Sequence, residues 1–198
     1  MKNINLLPVD GELYYYPNFL SASVADFYFD ELHRTIEWEH DVVKLFGKIF
    51  ETKRKVAWYA SEALSYTYSG VMKHSKKFTK ELIALKENIE SFSEENFNAC
   101  LLNLYHDGSE GMGWHSDDEK EIVHHSCIAS LSLGTTRRFD FKHKITGDKF
   151  SVDLEHGSLL LMKSDIQEHW LHALPKQLRI KDARINLTFR LNKNRKTI

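Results

Sequence analysis

The sequence predicts a mainly β fold with flanking helices, an α+β chain whose strands form a barrel or a jelly-roll-like sandwich. Several short strand-like runs follow Asn96 and are separated by turns that contain glycine, which is typical of such folds. Two earlier segments place apolar residues at helical spacing. At 198 residues the chain is long enough for one well-filled core, so we expect a single domain over residues 1–198.

Two amphipathic helices are predicted in the N-terminal half. Ser21 or Ser23 can cap the first, which should end near Trp38, and Thr79 can cap the second, which should end near Ser93. We expect the apolar faces of both helices to pack in the core. The residues at helical spacing are Val24, Phe27, Tyr28, Leu32 and Ile36 in the first helix and Leu82, Leu85, Ile89 and Phe92 in the second.

The remaining elements are strand-like. Between residues 41 and 70 the pattern is short and rich in β-forming residues, and Gly47 after Phe46 predicts the tip of a hairpin. A large aromatic residue beside lysines is unusual at a turn, and two interpretations stay open. Phe46 folds back into the core, or it is an exposed wedge for a partner. The later predicted strands cover residues 99–105, 128–133, 138–143, 149–154, 158–162 and 184–191.

Composition and charge limit the class of protein. The sequence has no apolar run of about 18 residues and no signal-peptide pattern, so neither a membrane span nor secretion is indicated. Cys100 and Cys127 make no disulfide framework, which favours a reducing compartment and, by default, the cytosol. The net charge of −1 does not indicate a nucleic-acid partner, so any such binding must come from local basic patches.

One short stretch has the pattern of a metal site. His115 and Asp117 are two positions apart, and on an extended backbone alternate side chains leave the same face. A third ligand is needed, and His172 is the best candidate. Two histidines and one carboxylate with open positions suit non-haem Fe(II).

The last predicted strand has polar residues at every second position. Arg184, Asn186, Thr188 and Arg190 occupy one face, and apolar residues occupy the other. Two arginines on one strand face would normally lie on the outside of a sandwich. If they point inward instead, they need anions, and a dicarboxylate ligand could satisfy both through forked hydrogen bonds. Asn103 and Tyr105, also two positions apart, would present a second polar pair.

Together these residues resemble the AlkB family of Fe(II)- and 2-oxoglutarate-dependent dioxygenases, over about residues 42–191. An isolated His-x-Asp pair is common by chance, whereas all the elements in order are specific. The elements are Asn103-Leu104-Tyr105, His115-x-Asp117, His156-Gly157-Ser158-Leu159-Leu160, His172 and the strand from Arg184 to Arg190.

The resemblance implies a double-stranded β-helix, the cupin-like jelly roll, over residues 98–192. Helices and a nucleotide-recognition lid would occupy residues 1–97, and residues 193–198 would be a tail. His115, Asp117 and His172 would be the catalytic ligands of Fe(II), with 2-oxoglutarate and O2 as cosubstrates. The residues implied to bind 2-oxoglutarate are Arg184, Tyr105 and Thr188 at the distal carboxylate and Asn103 and Arg190 at the chelating end.

In this family O2 and 2-oxoglutarate are converted to succinate and CO2 while an N-linked methyl group is oxidised and leaves as formaldehyde. Leu45-Phe46-Gly47-Lys48 looks like the hairpin with which DNA repair demethylases of the family fill the gap left by a flipped base. The resemblance implies an oxidative demethylase that repairs 1-methyladenine and 3-methylcytosine in DNA. The residues implied to contact substrate are Phe46, Arg54, Tyr66, Tyr68, Asp118 and Glu119.

These methylated bases carry a positive charge, so an aromatic face from Tyr68 and a carboxylate from Asp118, with Glu119 nearby, would favour them. RNA or protein as the substrate of the same chemistry, or a non-catalytic nucleic-acid-binding module, stay open as alternatives. We expect a monomer without a membrane partner, in the cytoplasm of a bacterium or the nucleus of a eukaryote. The histidines expected to be surface or hydrogen-bonded structural residues are His106, His124, His125, His143, His156 and His169.

Overall fold

The computed structural model describes residues 4–45, 48–62, 65–68 and 71–193, and it describes side chains outside residues 42–50 and 63–73. The helices are α1 (Ala22–Thr35), α2 (Lys80–Ser93) and α3 (Ile166–His169). The strands are β1 (Glu12–Tyr16), β2 (Glu39–Leu45), β3 (Lys48–Ala60), β4 (Ser65–Tyr68), β5 (Val71–His74), β6 (Lys76–Lys77), β7 (Ala99–Tyr105), β8 (Met112–His115), β9 (Ile128–Gly134), β10 (Arg137–His143), β11 (Lys149–Leu154), β12 (Ser158–Lys163), β13 (Trp170–Leu174) and β14 (Arg184–Arg190).

Two mainly antiparallel sheets form the body of the fold. The larger sheet has the strand order β1-β12-β9-β14-β7-β3-β2, with β6 beside β3, and the smaller sheet has the order β11-β10-β13-β8. The pair β4 and β5 forms a separate ribbon. Residues of both larger sheets line one cavity, as the facing layers of a jelly roll do. The prediction of a mainly β, jelly-roll fold with flanking helices is confirmed.

The register of β14 decides which polar residues share a face of the larger sheet. Arg184 lies opposite Tyr105 of β7, and Asn186 lies opposite Asn103 of β7 and Ser132 of β9. Cross-strand neighbours lie on the same face of a sheet. The polar residues that alternate along β14 therefore meet the polar residues of both neighbouring strands.

The opposite face of the larger sheet is apolar and packs against α1 and α2 in one hydrophobic core. Helix α2 has the predicted bounds, and the Thr79 side chain accepts a hydrogen bond from the backbone N–H of Leu82. Leu82, Leu85 and Ile89 are fully buried, as predicted, whereas Phe92 is 47% exposed. Burial of this stripe fixes the helix against the sheet.

Helix α1 differs from the prediction in its end and in its buried face. It ends at Thr35 rather than near Trp38, because Ile36 adopts an extended backbone. Val24 and Phe27 are exposed, so their placement on the buried face was wrong. Ala25 is buried instead, next to the Cα of Gly157, where an added Cβ would lie 3.2 Å from the Ala25 Cβ. This close approach requires a small residue, and it rotates the helix.

The predicted hairpin is present, since β2 and β3 pair antiparallel with Leu45 opposite Lys48. Phe46 itself lies outside the described residues. The sequence did not predict β8, β13 or α3. These are short elements, and β8 contains His115 while β13 contains His172. Within the described residues, no helix is both long and apolar enough to cross a membrane.

Candidate metal and cosubstrate site

The structure brings His115, Asp117 and His172 together. His115 and His172 are cross-strand neighbours of β8 and β13, and Asp117 follows β8 by two residues. The Asp117 Oδ1 atom lies 3.7 Å from His115 Nε2 and 3.8 Å from His172 Nε2. Both separations exceed hydrogen-bond length. The three ligand atoms therefore surround a gap of the size of an ion.

Neighbouring groups orient these ligands. The Nδ1–H of His115 donates to the carbonyl of Gly113 at 2.8 Å, which leaves Nε2 as the free ligand atom. Arg190 donates to Asp117 Oδ2 at 2.8 Å, and the backbone N–H of Asp117 donates to Gln167 Oε1 at 2.9 Å. The carboxylate thus keeps its Oδ1 atom directed at the two imidazoles.

The electrostatics favour the forms that bind a metal. Burial opposes ionisation of Asp117, but the Arg190 guanidinium and the two imidazoles outweigh it, so the pKa of Asp117 lies well below its usual range. Burial and the neighbouring His172 lower the pKa of His115. Metal ligands must be deprotonated, so an anionic carboxylate beside a neutral His115 ring is the form required.

A cavity of about 60 Å³ adjoins the three ligands between the two sheets. Its polar wall comes from the shared face of β7, β9 and β14 described above. These polar residues are Asn103, Tyr105, Ser130, Arg184, Asn186, Thr188 and Arg190. The predicted inward orientation of the β14 arginines is therefore what the structure shows.

Arg184 has an unusual environment for a cation. It is 2% exposed, and among the described residues it has no salt bridge. Its Nη2 donates to Ser132 Oγ at 2.9 Å, its Nε has no hydrogen-bond partner, and its Cζ lies 5.7 Å from the centroid of the Tyr105 ring. Burial lowers the pKa of Arg184 to about 10. A buried guanidinium without a carboxylate is costly, which indicates a cavity built for an anionic ligand.

These residues fit Fe(II) and 2-oxoglutarate. Two imidazoles and one carboxylate that leave positions open are the ligand set of non-haem Fe(II) oxygenases. The unpaired Arg184 offers the forked donors that a carboxylate accepts. The metal ligands and this arginine line one cavity, so one diacid could contact both.

A second cavity, of about 190 Å³, reaches two of the three ligands. It shares His115, Asp117, Asn103 and Arg190 with the first cavity. The residues that line only the second cavity are Asp41, Arg54, Val56, Ser116, Asp118 and Glu119. His115 and Asp117 therefore lie between two spaces, one for each of two reactants, and His172 lines only the first.

The predicted substrate residues fall into two groups. Asp118 and Glu119 line the second cavity, as does Arg54. Arg54 is buried, donates to Asn103 Oδ1 at 2.8 Å and forms a salt bridge of 2.7 Å with Asp41. Phe46 lies outside the described residues, and for Tyr66 and Tyr68 only the backbone, in β4, is described.

Several residues of the site were not predicted. Asp41 pairs with Arg54, Gln167 holds the Asp117 backbone, and Ser132 contacts Arg184. Arg190 was expected to contact 2-oxoglutarate, and the structure also pairs it with Asp117. Alternation along β9 would have indicated Ser132, whereas the other pairings depend on contacts distant in sequence.

The fold and this site define a class, the non-haem iron oxygenases that use a 2-oxo acid. A family profile described as the 2OG-Fe(II) oxygenase superfamily matches residues 12–190. Human DNA oxidative demethylase ALKBH2 is 35% identical over 186 residues, which cover 88% of this chain and 71% of the human protein. Bovine alpha-ketoglutarate-dependent dioxygenase alkB homolog 3 is 35% identical over 184 residues, which cover 88% of this chain and 64% of the bovine protein.

The solved structure of OsALKBH1 supports the fold, with a TM-score of 0.63 at 15% identity, covering 90% of this chain and 97% of that one. The chain belongs to the AlkB family of the 2OG-Fe(II) oxygenase superfamily. It is an Fe(II)- and 2-oxoglutarate-dependent dioxygenase, so the predictions of family, enzyme class and cofactors are confirmed.

Proposed function

We propose that this protein is an oxidative demethylase that repairs N-alkylated bases, 1-methyladenine and 3-methylcytosine, in DNA. One observation carries the proposal: the metal ligands His115 and Asp117 lie between a cavity with a buried, unpaired arginine and a second cavity with more carboxylates than guanidiniums. The first cavity suits 2-oxoglutarate and the second suits a cationic base. The relatives named as DNA oxidative demethylases support the choice of substrate.

Bound Fe(II), with 2-oxoglutarate and O2, supplies the oxidation of the N-methyl group, and succinate, CO2 and formaldehyde are released. The chain's own residues bind and orient the reactants. His115, Asp117 and His172 would hold the metal, and Arg184 would hold the distal carboxylate of 2-oxoglutarate, with Tyr105 and Thr188 beside it. His172 is buried next to the rings of Phe139 and Phe141, which exclude water from that side.

Charge in the second cavity favours a cationic base over a neutral one. Four carboxylates and two guanidiniums line it, and the guanidiniums of Arg54 and Arg190 are paired with Asp41 and Asp117. Asp118 and Glu119 are in excess. Glu119 contacts Arg190 at 3.2 Å and burial raises its pKa, so Asp118 is the more available negative charge. Because opposite charges attract most strongly where water is scarce, a positively charged methylated base gains more here than a normal base does.

The N-terminal half would act as the nucleotide-recognition lid. Its hairpin β2–β3 carries Arg54 and Asp41 to the wall of the second cavity, which supports a division into residues 1–97, 98–192 and 193–198. In this proposal Phe46 fills the gap left by the flipped base, and Tyr66 and Tyr68 bound the pocket. The lid shares the larger sheet with the core, since β3 pairs with β7.

Further parts of the proposal concern partners and location. Double- and single-stranded alkylated DNA are the proposed substrates, as the name of the ALKBH2 relatives supports, and RNA is the second candidate. We propose a monomer. Both cysteines are free, which supports a reducing compartment, the bacterial cytoplasm or the eukaryotic nucleus.

The test is to incubate Fe(II)-loaded protein, 2-oxoglutarate and ascorbate with oligonucleotides that contain 1-methyladenine and to weigh the products. Single-stranded DNA, duplex DNA and RNA of one sequence are compared. We expect the loss of one methyl group per lesion from DNA. His172→Ala should abolish it, and His33→Ala, which alters an exposed histidine on α1, should not.

Phe46→Ala separates the substrates further. Loss of duplex activity with retained single-strand activity would support the wedge. Faster demethylation of RNA than of single-stranded or duplex DNA would favour RNA as the substrate. Succinate release that no nucleic acid stimulates would contradict the proposal.

A further inference from the structure

A cluster of metal-ligating side chains lies apart from the iron ligands, on the connection between β8 and β9. His124 and His125 lie in this connection, and Glu168 lies in α3. The Oε1 atom of Glu168 is 2.6 Å from His124 Nε2 and 2.8 Å from His125 Nε2. Two imidazoles thus converge on one carboxylate oxygen, and the three ligand atoms lie within 4.8 Å of one another.

The backbone at this place brings two adjacent side chains to the same side. His125 has a φ of 59°, in the left-handed region that non-glycine residues rarely adopt. Successive residues on an extended backbone point to opposite faces, whereas here the two rings lie 3.9 Å apart at an interplanar angle of 31°. Ser126 fixes the turn, because its backbone N–H and its hydroxyl both donate to the carbonyl of Val123.

The charges of the cluster favour a divalent cation. Glu168 supplies one negative charge, and each ring supplies one nitrogen lone pair. Two neutral imidazoles and one carboxylate are the ligands of zinc sites such as that of thermolysin.

A second histidine cluster differs from that of His124, His125 and Glu168 in the hydrogen bonds of its ring nitrogens. Asp10, His143 and His169 also approach one another, but both ring nitrogens of His143 are engaged. Its Nδ1 accepts from the backbone N–H groups of Ile145 and Thr146, and its Nε2 donates to Asp10 at 3.0 Å. That histidine is a structural residue. In the cluster on the connection, the Nε2 atoms contact only the carboxylate with which they would share a metal.

We propose that His124, His125 and Glu168 form a second metal site, for a divalent ion of the zinc class. Tetrahedral zinc with bonds of about 2.0 Å places neighbouring ligand atoms about 3.3 Å apart. The observed separations of 2.6 and 2.8 Å must therefore widen slightly, which these exposed side chains can do by small rotations. A water or an outside ligand would complete the coordination.

The proposed second metal site lies close to the segment that contains the iron ligand Asp117. Asp117 lies in the same connection as His124 and His125, and Gln167, next to Glu168, accepts a hydrogen bond from the Asp117 backbone. The same residues line a cavity of about 190 Å³ whose wall includes Asp117. An ion at this second site would join the Asp117 segment to α3, which directly precedes the strand of His172.

The test is a zinc titration of untagged, metal-free protein, with bound zinc counted by mass spectrometry after gel filtration. We expect two zinc ions per chain in the wild type, and one ion both in His124→Ala/His125→Ala and in His115→Ala/His172→Ala. The control His33→Ala should keep two. Glu168→Gln keeps the size of the side chain and removes its charge, and it should weaken the second site at least about tenfold.

Thermal unfolding supplies a readout that is independent of activity. In the His115→Ala/His172→Ala background, zinc at about a hundredfold excess over the dissociation constant should raise the Tm by about 5–10 °C. Adding His124→Ala/His125→Ala should remove that rise. A single zinc ion in the wild type, or two in His124→Ala/His125→Ala, would overturn the proposal.

Discussion

Arg184→Met makes a sharp test of the cosubstrate site, because its two expected effects have opposite signs. Methionine keeps much of the length of the side chain and removes the charge. Without ligand, the buried guanidinium has no carboxylate partner among the described residues, so its removal should stabilise the metal-free and cosubstrate-free protein. With 2-oxoglutarate, the same removal should cost most of the binding energy of the distal carboxylate.

The structure sets the magnitudes. A pKa of about 10 against the usual 12.5 means that burial costs the charged guanidinium of Arg184 about 3 kcal/mol in the folded state. Because the pKa of a base is lowered, this cost is fully present at neutral pH and is relieved only above about pH 10. Subtracting about 1 kcal/mol for the Ser132 hydrogen bond and part of another for Tyr105 leaves a gain of about 1–2 kcal/mol. The Tm should rise by about 2–8 °C.

Arg137→Met is the matched control. Arg137 is also fully buried and also lies near Tyr105, but it donates to the carbonyls of Asp107, Glu110 and Pro175. The same substitution there leaves one buried and two partly buried carbonyls without donors and should destabilise the protein by more than about 3 kcal/mol.

The assays are thermal unfolding without ligands and calorimetric titration of the Mn²⁺-loaded protein with 2-oxoglutarate. Arg184→Met should bind 2-oxoglutarate at least about thirtyfold more weakly, since truncating one partner of a buried charge pair costs at least about 2 kcal/mol. A fall in Tm like that of Arg137→Met, or an affinity within about threefold of the wild type, would refute the reasoning.

Three further predictions concern residues that position the site and thiols that the core buries. Asp41→Ala should lower the free energy of unfolding by about 3 kcal/mol in a urea titration, because it leaves Arg54 buried without its carboxylate; a loss below about 1 kcal/mol would show that the pair is dispensable. Gly111→Ala should lower the Tm and weaken Mn²⁺ binding, since the added Cβ would lie 2.5 Å from the backbone oxygen of Leu174 in β13. The control Gly113→Ala, whose added Cβ meets no atom within 4 Å, should change neither the Tm nor Mn²⁺ binding. Equal effects of the two variants would contradict this account. Burial raises the pKa of Cys127 to about 12, and Cys100 is also buried. Iodoacetamide at about pH 8 should therefore leave both thiols of the native protein unmodified and should alkylate both in urea. Rapid labelling of the native protein would be inconsistent with the fold.

Periodicity was sufficient to predict much of the fold. The alternation from Arg184 to Arg190 and the helical stripe of α2 both appear in the structure nearly as the sequence indicated. Each depends on local spacing along one element. The predicted stripe of α1 was partly wrong because the close contact between Ala25 and Gly157 involves a distant segment, which spacing within the helix cannot reveal.

The site shows the same limit. The residue types of His115, Asp117 and His172 indicated a metal, but their meeting depends on β8 and β13, two short strands that carry little periodicity. Asp41 and Gln167 were missed because their importance comes only from their partners in the fold. Sequence patterns thus indicated the candidate metal ligands and cosubstrate residues, and the structure was needed to find the residues that position them.

The central claim is that one metal ion and one 2-oxoglutarate molecule share the cavity between the two sheets. The most direct measurement is a crystal structure of the protein with Mn²⁺ and 2-oxoglutarate, grown without O2. We predict an ion bonded to His115 Nε2, Asp117 and His172 Nε2, with the distal carboxylate of 2-oxoglutarate on the Arg184 guanidinium. An ion bound without His172, or a diacid that leaves Arg184 unpaired, would contradict the account.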